Sequence, residues 1–96
     1  MKNQANHTRG SLSVISDALP KLKGSAQKVA QFILDSPQET INLTITELGS
    51  RAAVSEASIS RFVRSLGYEG FHALKIRLAE DIVSPMLIAH EDMLPD

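Results

Sequence analysis

Cysteine is absent from this 96-residue chain, which excludes disulfide frameworks, thiolate metal sites and cysteine nucleophiles. A thiol-free chain also fits a reducing cytoplasm. No apolar run approaches the roughly 20 residues that span a bilayer. The first ten residues, Met1 to Gly10, are polar and lack the apolar stretch of a secretory signal, so residues 1–10 read as a disordered leader. A soluble, cytoplasmic chain with no membrane partner is expected. There is no glycine-rich phosphate loop. His7, His72 and His90 are scattered with no pair at metal-ligand spacing, and no histidine or aspartate joins the abundant serines in a nucleophile motif. These gaps argue against an enzyme and against a metal or cofactor. Strict apolar–polar alternation is missing too, so no strands are expected and the fold class is all-α.

Positive charge is scarce for a nucleic-acid partner: the net charge is −1 and the isoelectric point is near 6.3. The distribution says more than the sum. From Glu80 onward stand Glu80, Asp81, Glu91, Asp92 and Asp96 without a single Lys or Arg. Residues 1–79 therefore hold ten bases against six acids, a basic body of +4 followed by an acidic tail. With 43% hydrophobic residues, the chain suits one small globular domain with a modest core.

Helical periodicity and caps organise that domain. Leu12, Ile15 and Leu19 recur at helical spacing before Pro20 interrupts them. Gly24 and Ser25 read as a turn and a cap for a helix carrying the Val29, Phe32, Ile33 stripe and ending near Asp35. Ser36-Pro37-Gln38-Glu39 spells a capping box with proline at the first helical position, opening a short segment closed by Ile41 and Leu43. Thr44-Ile45-Thr46-Glu47 repeats the box and opens a helix through Ala52 or Ala53. Val54-Ser55 is a tight turn, Ser55 caps a helix reaching Leu66, and Gly67 stands where a left-handed glycine closes a helix. Phe71, Leu74, Leu78 and Ile82 give a last amphipathic face ending near Val83, after which Ser84-Pro85 caps a piece carrying Met86, Leu87 and Ile88. The expectation is a small bundle of about five helices over residues 11–83, with residues 84–96 as tail or linker.

Thr44 to Gly67 carries the function. Two capped helices are joined by a turn too short for anything but a steep crossing. A helix-turn-helix needs a small residue on its first helix, a small or left-handed-tolerant residue at the turn four positions on, and an aliphatic residue six further. Gly49, Ala53 and Ile59 meet that spacing, with Ile45 and Leu48 buried behind and Val54 plugging the turn. On the second helix Ile59, Phe62, Val63 and Leu66 form the core stripe. At about 100° per residue the opposite face is centred on Ala57, Arg61 and Arg64, flanked by Ser58 and Ser60. That face suits a major groove: Ala57 can touch a thymine methyl, the serines can bond bases or phosphates, and either arginine can grip guanine O6 and N7. The helix start at Ser55 presents N–H groups to a phosphate, where Glu56 would repel it unless it accepts from a cytosine amino group. Two arginines opposite an apolar stripe are by themselves an ordinary solvated face. The spacing, the two caps and the closing glycine together point to DNA.

The same stretch resembles the N-terminal domain of RpiR-type regulators. Glu47-Leu48-Gly49, Ala52-Ala53-Val54-Ser55, Ala57-Ser58-Ile59, Arg61-Phe62, Arg64, Leu66-Gly67-Tyr68, Gly70-Phe71 and Leu74-Lys75 fall on that family's pattern, as does Leu22 through Pro37 upstream. The likeness covers roughly Leu19 to Ile82. It implies a homeodomain-like or winged-helix-like unit that works as a dimer or tetramer on palindromic double-stranded DNA. It further implies a bacterial regulator of sugar-phosphate metabolism whose phosphosugar effector binds a C-terminal sugar isomerase domain, for which 96 residues leave no room. Two positions depart from the pattern. Gly49 replaces alanine, at about 1 kcal/mol of helix propensity. Ala53 stands where glycine is frequent, which is strained only if its φ is positive.

Outside the second helix, Arg51 on the first helix of the unit is a candidate phosphate contact, as are His72 and Lys75 near the start of the last helix. Lys21, Lys23 and Lys28 surround the Gly24-Ser25 turn, where they could touch flanking phosphates but read better as a solvated cluster. The apolar Met86-Leu87-Ile88 and Met93-Leu94 groups either cover the core or make a homodimer contact, and the second is preferred since two-fold operators need two-fold proteins. The competing function is a helical protein-interaction module that never meets DNA, which the acidic isoelectric point and apolar tail favour.

Overall fold

The computed structural model describes residues 10–93, with side chains through Val83. The expected leader, apart from Gly10, and the side chains of the apolar tail groups lie outside those described residues. Every regular element among them is helical. Helix α1 (Ser11–Ala18) runs into a 3-10 turn (Leu19–Lys21), followed by α2 (Gly24–Asp35), α3 (Pro37–Thr40), α4 (Ile45–Ala52), α5 (Glu56–Ser65) and α6 (Phe71–Met93).

Three of the helices start without a side-chain cap from their own N-cap residue. Gly10 precedes α1 and has no side chain to cap it. The Asp81 carboxylate does so from α6, accepting from Ser11 Oγ at 2.7 Å and from the Leu12 N–H at 2.8 Å. A Cβ on Gly10 would overlap that carboxylate, so glycine is what lets Asp81 in. The expected cap at Gly24-Ser25 is not formed: Lys23 is the capping residue of α2, makes no side-chain cap, and Ser25 lies inside the helix. Nor does the box at Ser36 close. Pro37 holds the first position of α3, but Glu39 turns away to pair with Arg51, and the Ser36 carbonyl instead accepts from the Thr40 N–H and Oγ1. The box at Thr44 does close, as described below.

The core is one cluster. Ile15 of α1, Val29, Ala30 and Ile33 of α2, Leu48 of α4, Ile59, Phe62 and Val63 of α5, and Leu74 and Leu78 of α6 are buried together. Each fully buried aliphatic side chain contributes about 1.5–3 kcal/mol, which in a core this small makes every one of them matter. α2 crosses the middle and packs against α1, α3, α4 and α5, so it fixes the position of the helix-turn-helix.

The last helix differs from the sequence expectation. α6 does not end near Val83; it continues through Ser84 and Pro85 to Met93. Pro85 lacks the N–H that would bond the Asp81 carbonyl, which costs a helix interior about 3 kcal/mol. By then α6 has run for about four turns, three of its apolar residues seated in the core, so one missing bond does not stop it.

Candidate nucleic-acid interface

The interface is built by α4, its turn and α5. Thr44 Oγ1 accepts from the Glu47 N–H at 3.1 Å while Glu47 Oε1 accepts from the Thr44 N–H at 2.9 Å, so both halves of this capping box are present. α4 ends at Ala53, in the left-handed region at φ 61° and ψ 47°. The Val54 N–H returns to the Gly49 carbonyl at 3.0 Å. A Cβ on Gly49 would lie 2.8 Å from the Val54 carbonyl oxygen and 3.7 Å from Ile59 Cδ1. The spacing of Gly49, Ala53 and Ile59 is thereby accounted for: α4 omits a side chain, the turn folds into the gap, and Ile59 closes it from α5.

Ser55 caps α5, its Oγ accepting from the Ser58 N–H at 3.1 Å and donating to Ser58 Oγ at 3.0 Å. At the far end, the Gly67 N–H reaches the Arg64 carbonyl and the Tyr68 N–H the Val63 carbonyl. With Gly67 at φ 101°, that is a Schellman closure. Between these ends α5 has two faces. Ile59, Phe62 and Val63 are buried and Leu66 is half-buried against them. Ala57, Arg61 and Arg64 are exposed on the other side, with Ser58 and Ser60 half-buried beside them. Arg61 donates weakly to Ser58 Oγ at 3.4 Å, and neither Arg61 nor Arg64 has a carboxylate partner among the described residues. Two guanidinium groups thus stand exposed on a capped helix without a neutralising carboxylate among the described residues.

Three charged groups near this face are occupied. Glu56 accepts from Thr46 Oγ1 at 2.7 Å, tying the start of α5 to α4. Arg51, expected as a phosphate contact, is paired with Glu39 of α3. Lys75, expected likewise, donates its Nζ to the Leu43 carbonyl at 2.9 Å and sits 5.0 Å from the Phe71 ring centre. Both cations brace α4 and its approach against the rest of the bundle. His72 is exposed. Tyr68, half-buried behind the closing turn, has its phenol pushed above its ordinary value by burial, the Asp81 carboxylate adding to the shift and Arg77 opposing it.

The structure also joins residues that the sequence kept apart. An open cleft of about 400 Å³ separates α2 from α5 and is lined by Lys23, Ser25 and Ala26 on one side and Ser58, Arg61 and Phe62 on the other. A second, of about 610 Å³, runs along the turn and again includes Ser25 with Ser55 and Ser58. No grouping of histidine and carboxylates fit for a metal occurs among the described residues, and no helix there is long and apolar enough to cross a membrane.

The sequence matches the helix-turn-helix domain of the rpiR family over residues 9–85. It is 36% identical over 86 residues to the uncharacterised HTH-type transcriptional regulator YbbH of Bacillus subtilis (strain 168), covering 90% of this chain and 30% of that protein. It is 41% identical over 73 residues to the HTH-type transcriptional regulator HexR of Pseudomonas aeruginosa, covering 76% of this chain and 26% of that one. The chain therefore spans between a quarter and a third of the length of these relatives. Its fold is similar to the crystal structure of the N-terminal domain of ybbH from Bacillus subtilis, with a TM-score of 0.75 at 37% identity, over 78% of this chain and 92% of that one.

Proposed function

This chain belongs to the rpiR family of helix-turn-helix domains, a DNA-binding transcription-regulator unit, and from that premise we propose that it reads a palindromic operator through the exposed face of α5. The observation that carries the reading is the pair of exposed guanidinium groups, Arg61 and Arg64, neither paired with a carboxylate among the described residues, opposite a buried stripe on a helix capped at both ends. Those two arginines take base edges, with Ala57 against a thymine methyl. Ser58 and Ser60 bond bases or phosphates, and the Ser55 end of α5 meets the backbone. Arg51 and Lys75 act from behind, as braces of α4, with their charge contributing only at longer range.

The remaining parts of the reading are a cytoplasmic homodimer, one copy on each half-site, and control of sugar-phosphate metabolism genes through a phosphosugar bound elsewhere in a longer protein. The family resemblance supports these. A self-associating surface is also favoured by Ile76 and Val83, which are exposed on α6. The test is selection from a random duplex pool followed by a gel shift. Retardation of the selected duplex that survives excess mixed-sequence competitor supports the proposal; no retardation of any duplex at micromolar protein overturns it.

A further inference from the structure

Two rows of phosphate border any helix laid in a major groove. The groove is about 12 Å wide and an α-helix with its side chains about 10–12 Å, so whatever lies beside the recognition helix faces the sugar-phosphate backbone. The two flanks of α5 are unlike each other. On the α4 side the cation is Arg51, and it is taken by Glu39. On the α2 side stands Lys23, across the 400 Å³ cleft from Arg61. Lys28 follows three residues on from Ser25, the residue that lines both clefts, and so continues the same stripe of α2. Both lysines are exposed, neither has a hydrogen bond or ion pair among the described residues, and α2 carries no acidic residue before Asp35.

We propose that Lys23 and Lys28 form a phosphate-binding flank of the DNA interface, extending its footprint from α5 onto α2. The proposal rests on the reading of α5 given above. It names a surface outside the helix-turn-helix that carries affinity without sequence preference, because a lysine is a point charge to a phosphate and reads no base. The cleft is where the backbone would pass, with Arg61 committed to the groove on one wall and Lys23 to the phosphate on the other.

Fluorescence anisotropy on the 96-residue chain tests it, using a mixed-sequence duplex and a duplex selected from a random pool over a series of salt concentrations. Lys23→Gln and Lys28→Gln should each weaken binding to both duplexes by the same several-fold factor and lower the slope of log affinity against log salt by about 1. Arg77→Gln, which removes an equal charge from α6, should leave that slope at the wild-type value. Wild-type slopes in both lysine variants overturn the flank while leaving the α5 reading intact. Equal losses from Lys23→Gln and Arg77→Gln reduce it to an effect of net charge and overturn it as well. A wild-type chain that binds neither duplex brings down both readings.

Discussion

Ala53 holds a backbone conformation that L-residues avoid. At φ 61° its Cβ crowds the following carbonyl, at about 1–2 kcal/mol. Glycine removes that strain but adds about 0.4–1 kcal/mol of unfolded-state freedom. Ala53→Gly should therefore stabilise the domain by about 0.5–1 kcal/mol, seen as a rise of a few degrees in Tm. An unchanged or lower Tm would mean the turn relaxes without help. Arg61 and Arg64 make the opposite kind of prediction, since neither supports the fold. Each alanine variant should keep its Tm, lose about 1–3 kcal/mol of affinity for the selected duplex, and relax base preference at its own position. Both variants binding like wild type would remove the α5 face as the reader. Tyr68 gives a pH test without ambiguity, because it is the only tyrosine in the chain. Its raised value means the folded state favours the neutral phenol. The associated stability is present below the unfolded value near 10.0 and is lost as pH climbs through the higher folded one. Near-ultraviolet titration of the tyrosinate band should give a midpoint above that of the urea-unfolded chain.

Between residues and fold stand the helix starts, and they show why some features could be read from the sequence and others not. The caps of α4 and α5 lie within three residues of the N–H groups they satisfy, so Thr44, Glu47 and Ser55 announce themselves. The cap of α1 comes from Asp81, some seventy positions away, and looks in sequence like the first part of an acidic tail. Ser36 and Glu39 carry a sound local signal that loses to a tertiary one, the Arg51 guanidinium. Pro85 predicts a stop that four turns of packed helix override. Asp81→Ala tests the remote cap. It leaves the buried Ser11 hydroxyl and the Leu12 N–H without their acceptor, at about 1–3 kcal/mol. Hydrogen exchange should speed up in α1 well before α4 and α5. Uniform acceleration across all helices would show that α1 does not open separately.

At the scale of the molecule, the exposed face of α5 was legible because a 3.6-residue period separates buried from exposed positions without reference to any other element. The lysines of α2 and its approach could be named as candidates, but their place beside α5 could not, because the approach of α2 to α5 is set by packing that no local pattern encodes. The same limit applies to self-association. Ile76 and Val83 are 51% and 48% exposed, and seven residues apart they share one stripe of α6, a helix about 35 Å long. Buried neighbours on other stripes already satisfy the core, so these two have no partner within the described fold. A second copy packed along α6 would cover them, as the homodimer proposed above requires. For the homodimer proposed above, changing both to serine should shift sedimentation from dimer to monomer and abolish cooperative binding to a two-half-site duplex. Affinity for a single half-site should stay as it was, and the rise of Tm with protein concentration that a dimer gives should disappear. A wild-type chain that sediments as a monomer when bound to the two-half-site duplex, or a serine variant that still dimerises, would place the seam elsewhere than on this stripe.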